Sequence, residues 1–175
     1  MKVLLNNILY WDSYVFTRIF GINRRNIWRP TFSLITKTGD GYLYPLAFLL
    51  AIALAPQSAF MLLLSGLLAF TIEIPLYRLL KNSVRRDRPF EVLEGIEHLV
   101  IPPDQFSFPS GHTASAMAIA IIFSHFFPFL TIPLFLWTLA VGFSRIVLGV
   151  HYPLDILAGM FLGILSASLS LIIVL

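Results

Sequence analysis

Residues Ala59 to Leu80 read AFMLLLSGLLAFTIEIPLYRLL, an apolar run of helical length broken only by Glu73 and Arg78. A helix needs roughly 20 such residues to cross a hydrocarbon core about 30 Å thick. Four more segments approach that length: Tyr42–Leu54, short unless it extends back through Phe32–Thr36; the run from His112 to Phe127; Leu130–Val147; and Pro153–Leu175. Turn signals separate them at Ala55-Pro56-Gln57-Ser58, at Phe127-Pro128 and between Gly149 and Pro153. The whole chain agrees. Of its 175 residues 58% are hydrophobic and only 12% charged, against roughly 25% charged in soluble domains. The expected fold is all-α, a polytopic transmembrane helical bundle with five firm spans, six if Leu4–Phe20 also crosses.

That first stretch is expected to lie along the membrane. Leu4, Leu5, Ile8, Leu9, Trp11, Tyr14, Val15, Ile19 and Phe20 form a helical apolar face, while Asn7, Asp12 and Arg18 make full burial costly. It lacks a small-residue cleavage site and does not read as a signal peptide. The polar segment Asn82–Pro109 carries Glu91, Glu94, Glu97 and Asp104 and belongs outside the hydrocarbon.

The chain has no cysteine, which excludes disulfides and thiolate chemistry. All twelve Lys and Arg residues precede Ile146, a distribution suited to anionic headgroups. No nucleic-acid recognition pattern is present.

Threading five spans back and forth puts Lys81, His112, Arg145 and His151 on one membrane face. Three clusters meet there. Lys81, Arg85 and Arg88, spaced i, i+4, i+7, are expected on one helical face before Pro89 ends the helix. Pro109-Ser110-Gly111-His112 precedes an apolar helix, whose N-terminal N–H groups make an anion site. Ser144-Arg145 is followed by His151 and then Asp155, an i, i+4 pair in which the carboxylate holds one imidazole nitrogen. Each cluster has a plainer reading: cations snorkelling to headgroups, a Ser cap, a structural or proton-relay His–Asp pair. Their conjunction on one face suits a phosphate better.

The pattern Lys81-x6-Arg88-Pro89, Pro109-Ser110-Gly111-His112 and Ser144-Arg145-x5-His151-x3-Asp155 resembles the three-part signature of the type 2 phosphatidic acid phosphatase superfamily. That superfamily holds lipid phosphate phosphatases, bacterial phosphatidylglycerophosphate and undecaprenyl-pyrophosphate phosphatases, lipid A phosphatases, glucose-6-phosphatase and the vanadium haloperoxidases. The resemblance runs from Lys81 to Asp155 and fills every signature position; the first eighty residues carry no motif. It implies residues 1–175 as one phosphatase domain, with 1–40 an interfacial segment and 41–175 the catalytic bundle. It implies His151 as nucleophile, Asp155 as its orienting carboxylate and His112 as general acid and base. Lys81, Arg88, Arg145, Ser110 and Gly111 would cradle the phosphoryl group. No metal and no cofactor is expected, because fixed cations neutralise the phosphate.

The resemblance favours a bacterial inner membrane with the site facing the periplasm. The positive-inside rule favours the cytoplasm, since Arg24, Arg25, Arg29 and Lys37 fall on the site's face. The expected partners are the bilayer and a membrane lipid substrate: a phosphatidylglycerophosphate, a polyprenyl pyrophosphate, a phosphatidate or lipid A. The loop from Phe90 to Phe108 would select among them. A lipid or proton transporter is the non-enzymatic alternative, a haloperoxidase the minor enzymatic one. Oligomeric state is open.

Overall fold

The computed structural model describes residues 2–21 and 28–175. Arg24 and Arg25, counted above toward the charge of the site's face, lie outside the described residues. The order is α1 (Lys2–Phe20), α2 (Arg29–Lys37), α3 (Leu43–Leu54), α4 (Ala59–Val84), α5 (Pro89–Val92), α6 (Gly111–Phe126), α7 (Thr131–Val147) and α8 (Pro153–Val174). Helices α3, α4, α6, α7 and α8 coincide with the five apolar segments. The Ala55–Ser58 and Phe127–Pro128 breaks become single 3-10 turns, because proline removes a donor and resets the chain direction.

By length and apolarity three described helical stretches can cross a membrane: Pro56–Val92, Pro128–Val147 and Pro153–Val174. Helix α3 has 12 residues and α6 has 16, about 18 and 24 Å at 1.5 Å per residue, both short of the hydrocarbon thickness.

Helix α6 is the hub. Its alanines 114, 116, 118 and 120 are buried completely, and it packs most extensively on α8. Gly159 and Gly163 of α8 explain the closeness: a methyl group on either would run into the carbonyl oxygen of Ser110 or Ala114. Small residues four apart let two backbones approach where lipid offers no hydrophobic drive to association. The Ser110 N–H donates to the Asp155 carbonyl at 2.9 Å, fixing the start of α6 to the start of α8. At the far end of the bundle Phe48, Leu62, Ile122 and Phe123 form an apolar cluster, with Phe48 edge-on to Phe123.

Two expectations are corrected. The first is the cationic helical face. Helix α4 stops at Val84, and Arg85 takes a left-handed conformation (φ 49°), its N–H closing on the Lys81 carbonyl. Its side chain turns outward to the Asn82 carbonyl. Arg88 therefore reaches the site from the loop, its N–H bonded to Glu91 Oε2 at 2.8 Å where α5 begins. The second concerns α1. Leu4, Tyr10 and Trp11 do face outward, but Asp12 is 5% exposed and points into the protein beside the buried Phe16. Burial is tolerated because Asp12 meets a cation and a backbone donor there.

Candidate active site

The elements converge on one cavity of about 620 Å³. Lys81, Arg88, Gly111, His112, Arg145 and His151 all line it. Of the expected site residues, Ser110 and Asp155 stand behind its wall. The Ser110 hydroxyl pairs with Thr113 Oγ1 at 2.9 Å, and both residues are fully buried. A methyl on Gly111 would sit 3.0 Å from the Tyr77 ring, closer than ordinary contact.

The cations differ in how they are occupied. Asp104, from the loop before α6, accepts from Lys81 Nζ at 2.8 Å, from Arg88 Nη2 and from the Tyr77 hydroxyl. Arg88 also donates to the carbonyls of Gln105 (3.1 Å), Asp104 (3.1 Å) and Val150 (2.7 Å). It is a loop-tying residue as much as a cavity cation. Arg145 is different. Its Nη1 donates to Thr36 Oγ1 at 2.9 Å, while Nε and Nη2 are buried with no partner among the described residues. Buried donors of a charged group rarely go unmet, so an acceptor belongs there.

The two histidines are held by different means. His112 Nε2 lies 2.7 Å from Asp40 Oδ1, in the Gly39-Asp40-Gly41 turn between α2 and α3. His151 precedes α8 and is 2% exposed. Its Nδ1 lies 3.6 Å from Asp155 Oδ2 and has no hydrogen-bond partner among the described residues. The expected i, i+4 hydrogen bond is thus not formed. His151 lies outside the helix, and Asp155 caps it instead: Oδ2 accepts the Tyr152 N–H at 2.8 Å and Oδ1 accepts Arg86 Nη1 at 2.9 Å.

Electrostatics follow from these neighbours. Burial, then the positive charges of Arg145, Arg88 and Lys81 and the nearby His112, hold the His151 imidazole well below its ordinary pKa, so the ring is neutral. Burial alone would raise Asp104, but hydrogen bonds from Lys81 and Tyr77 and the charges of Lys81 and Arg88 hold it below the usual carboxylate range.

Residue types alone did not single out Asp40, Thr36, Tyr77 or Arg86. The Gly-Asp-Gly turn was a visible signal for Asp40, though turns of that kind usually only reverse the chain. Lys37, read above only as surface charge, also lines the cavity, and Arg29 donates to the Leu99 carbonyl at 3.0 Å. Thr36 and Asp40 place the 1–40 segment in contact with the site.

A helical bundle with a cationic cavity lined by two histidines defines a class, and sequence comparison gives its name. The family model of the PAP2 superfamily matches residues 57–175, and the chain belongs to that superfamily. It is 34% identical over 110 residues to the bacitracin transport permease protein BcrC of Bacillus licheniformis, covering 61% of this chain and 53% of that protein. It is 34% identical over 104 residues to an undecaprenyl-diphosphatase of Sulfolobus acidocaldarius, covering 55% and 47%. The chain spans about half the length of these curated relatives. Among solved structures, LpxE of Aquifex aeolicus superposes with a TM-score of 0.79 at 30% identity, over 90% of this chain and 93% of that one. A PAP2-type phosphatidylglycerolphosphate phosphatase of Bacillus subtilis gives 0.73 at 27% identity, over 94% and 85%.

Proposed function

We propose that this chain hydrolyses a lipid phosphate or pyrophosphate without a metal, through a phosphohistidine. The observation that carries the reading is the pairing of a buried His151, held neutral by its surroundings, with two Arg145 donors that have no partner among the described residues, on one cavity. A nucleophile and an anion cradle are what phosphoryl transfer needs from a protein. The names of the relatives, undecaprenyl-diphosphatase and phosphatidylglycerolphosphate phosphatase among them, point the same way.

In this mechanism a His151 ring nitrogen attacks phosphorus and the bond to the leaving oxygen breaks. His112 gives that oxygen its proton, with Asp40 holding the imidazole. His112 then takes a proton from water, which attacks the phosphohistidine and releases phosphate, freeing His151. Asp155 stabilises the cationic ring formed in between. Arg145, Lys81 and Arg88 neutralise the phosphoryl oxygens, with the Gly111 N–H at the start of α6 completing the cradle and Ser110 holding that helix start from behind the wall. Asp104 yields Lys81 to the phosphate when substrate enters.

On the same reading α3, α4, α6, α7 and α8 all cross a bacterial inner membrane, α1 rests at its interface and the site opens to the periplasm. With no native cysteine, a single Glu94→Cys reports this directly. Labelling by a membrane-impermeant maleimide in intact spheroplasts supports the orientation; labelling only after lysis reverses it.

The activity is tested by phosphate release in detergent with EDTA, from phosphatidate, phosphatidylglycerophosphate, undecaprenyl pyrophosphate and lipid A, with His151→Ala as control. Release that survives EDTA and disappears in the variant supports the reading. No release from any lipid returns weight to transport, a word that one relative's name contains.

A further inference from the structure

Arg86 belongs to none of the signature positions, yet it ties the N-terminal helix, the start of α8 and the loop entering α6 together. The left-handed turn at Arg85 sends its side chain inward. Nη1 donates to Asp155 Oδ1 at 2.9 Å and Nη2 to Asp12 Oδ2 at 2.6 Å. The guanidinium lies 3.8 Å from the centre of the Tyr152 ring. Its own carbonyl accepts the Ser107 N–H at 2.8 Å, which ties it to the loop entering α6. Asp12 completes the chain: its Oδ1 accepts the Leu154 N–H at 2.9 Å, beside Asp155. The Asp12 and Asp155 side chains are 1% and 0% exposed, that of Arg86 16%.

Without Arg86 the buried Asp155 must either take up a proton itself or draw charge onto His151, whose Nδ1 lies 3.6 Å away. Arg86 supplies the charge instead. We propose that Arg86 and Asp12 are positioning residues for the nucleophile: Asp12 fixes Arg86, and Arg86 satisfies Asp155 so that it approaches His151 only when a phosphoryl group makes the ring cationic. The N-terminal helix is thereby part of the working site and not only an anchor. This rests on the phosphatase reading for His151.

The groups facing His151 are Lys81 from α4, Arg88 from the loop, His112 from α6, Arg145 from α7 and Asp155 from α8. Burial is the largest cause of the neutral ring and every one of these groups but Asp155 reinforces it, so Asp155 is the group here that opposes it. Removing Arg86 frees its charge to act on His151, and the ring then holds a proton to higher pH. The acid limb of the kcat profile must move upward.

The test is the full-length chain in detergent micelles with Arg86→Ala, Arg86→Lys and Asp12→Asn, followed by rate against pH. Arg86→Ala should lower kcat about 10–100-fold with little change in KM, a loss typical of partners that orient a functional histidine. Its acid limb should rise by about one pH unit. Asp12→Asn should shift the limb the same way by less, and Asp12→Asn in the Arg86→Ala background should add nothing, because the two act as one unit. Arg86→Lys restores the charge without the two-pronged geometry, so its limb should return toward wild type while kcat stays intermediate. The near-isosteric Asp12→Asn and the charge-keeping Arg86→Lys carry the test if Arg86→Ala does not fold. A parallel readout needs no turnover: the His151 titration midpoint by histidine-selective 15N NMR, assigned with His151→Gln. Activity losses with an unmoved limb and an unmoved midpoint overturn the proposal. A wild type that releases no phosphate defeats the phosphatase reading instead, and the NMR midpoint still decides the role of Arg86.

Discussion

Two aspartates stand beside two histidines in this cavity, and they treat them oppositely. Asp40 lies in a turn, its side chain 28% exposed, and reaches His112 at 2.7 Å. Asp155 is completely buried and stays 3.6 Å from His151, with its oxygens already engaged by Arg86 and the Tyr152 N–H. A carboxylate hydrogen-bonded to imidazole favours the protonated ring; a carboxylate satisfied elsewhere leaves the ring neutral. One side of the cavity thus holds its histidine by a direct carboxylate hydrogen bond, and the other leaves its histidine to buried, cationic surroundings. Identical residue types acquire different tasks from whatever else touches the carboxylate.

The comparison is broken most completely by removing the nucleophile. His151→Ala should lower phosphate release by about 10⁴-fold or more, measured as turnover on the preferred lipid, because no second group on that side forms the covalent bond. His112→Ala should cost about 10²–10⁴-fold, the range of a general acid and base. With a substrate whose leaving group departs without a proton, most of that loss should vanish; an equal loss on such a substrate would remove His112 from the acid role. Asp40→Asn should be milder, about 10-fold, and should move the alkaline limb of the rate profile to lower pH, because the asparagine no longer favours the protonated partner.

The wild-type profile sharpens the same contrast. His151 must be neutral to attack, and its pKa is held below the ordinary 6.5 by burial and neighbouring cations. Activity should therefore persist as pH falls through 6.5 and fail only further down. The sign for stability is the same: a histidine whose folded pKa is depressed costs stability as pH drops below 6.5, never as it rises. An acid limb at or above 6.5 would contradict the neutral-nucleophile assignment. The smallest effect belongs to Arg85→Ala, expected within about 2-fold of wild type, since that side chain is exposed and among the described residues bonds only the Asn82 carbonyl. A loss there comparable to Arg86→Ala would mean that charge density, and not the Asp155 contact, is what the loop supplies.

Much of this molecule is legible in the chain. Helix boundaries followed the apolar runs to within a few residues, because proline and short polar breaks fix where a lipid-facing helix must end. The meeting of Lys81, His112, Arg145 and His151 followed from counting reversals. What escaped is instructive. Lys81, Arg85 and Arg88 have helical spacing, but a left-handed residue at 85 ended the helix, and periodicity carries no mark of a single φ. The His151–Asp155 spacing looked like a helical pair, yet the helix starts only at Pro153, and the carboxylate was claimed by the cap and by Arg86.

By itself the sequence determined the all-helical class of fold and which charged residues and histidines meet at one cavity, because hydropathy and spacing are local and lipid forbids most alternatives. The tertiary structure alone decided which carboxylate serves which histidine. Asp12 and Asp155 are 143 positions apart and share one guanidinium; Asp40 and His112 are 72 apart and share one hydrogen bond. Such pairings depend on which buried charge finds a partner when the helices pack, a long-range electrostatic balance that no local pattern records.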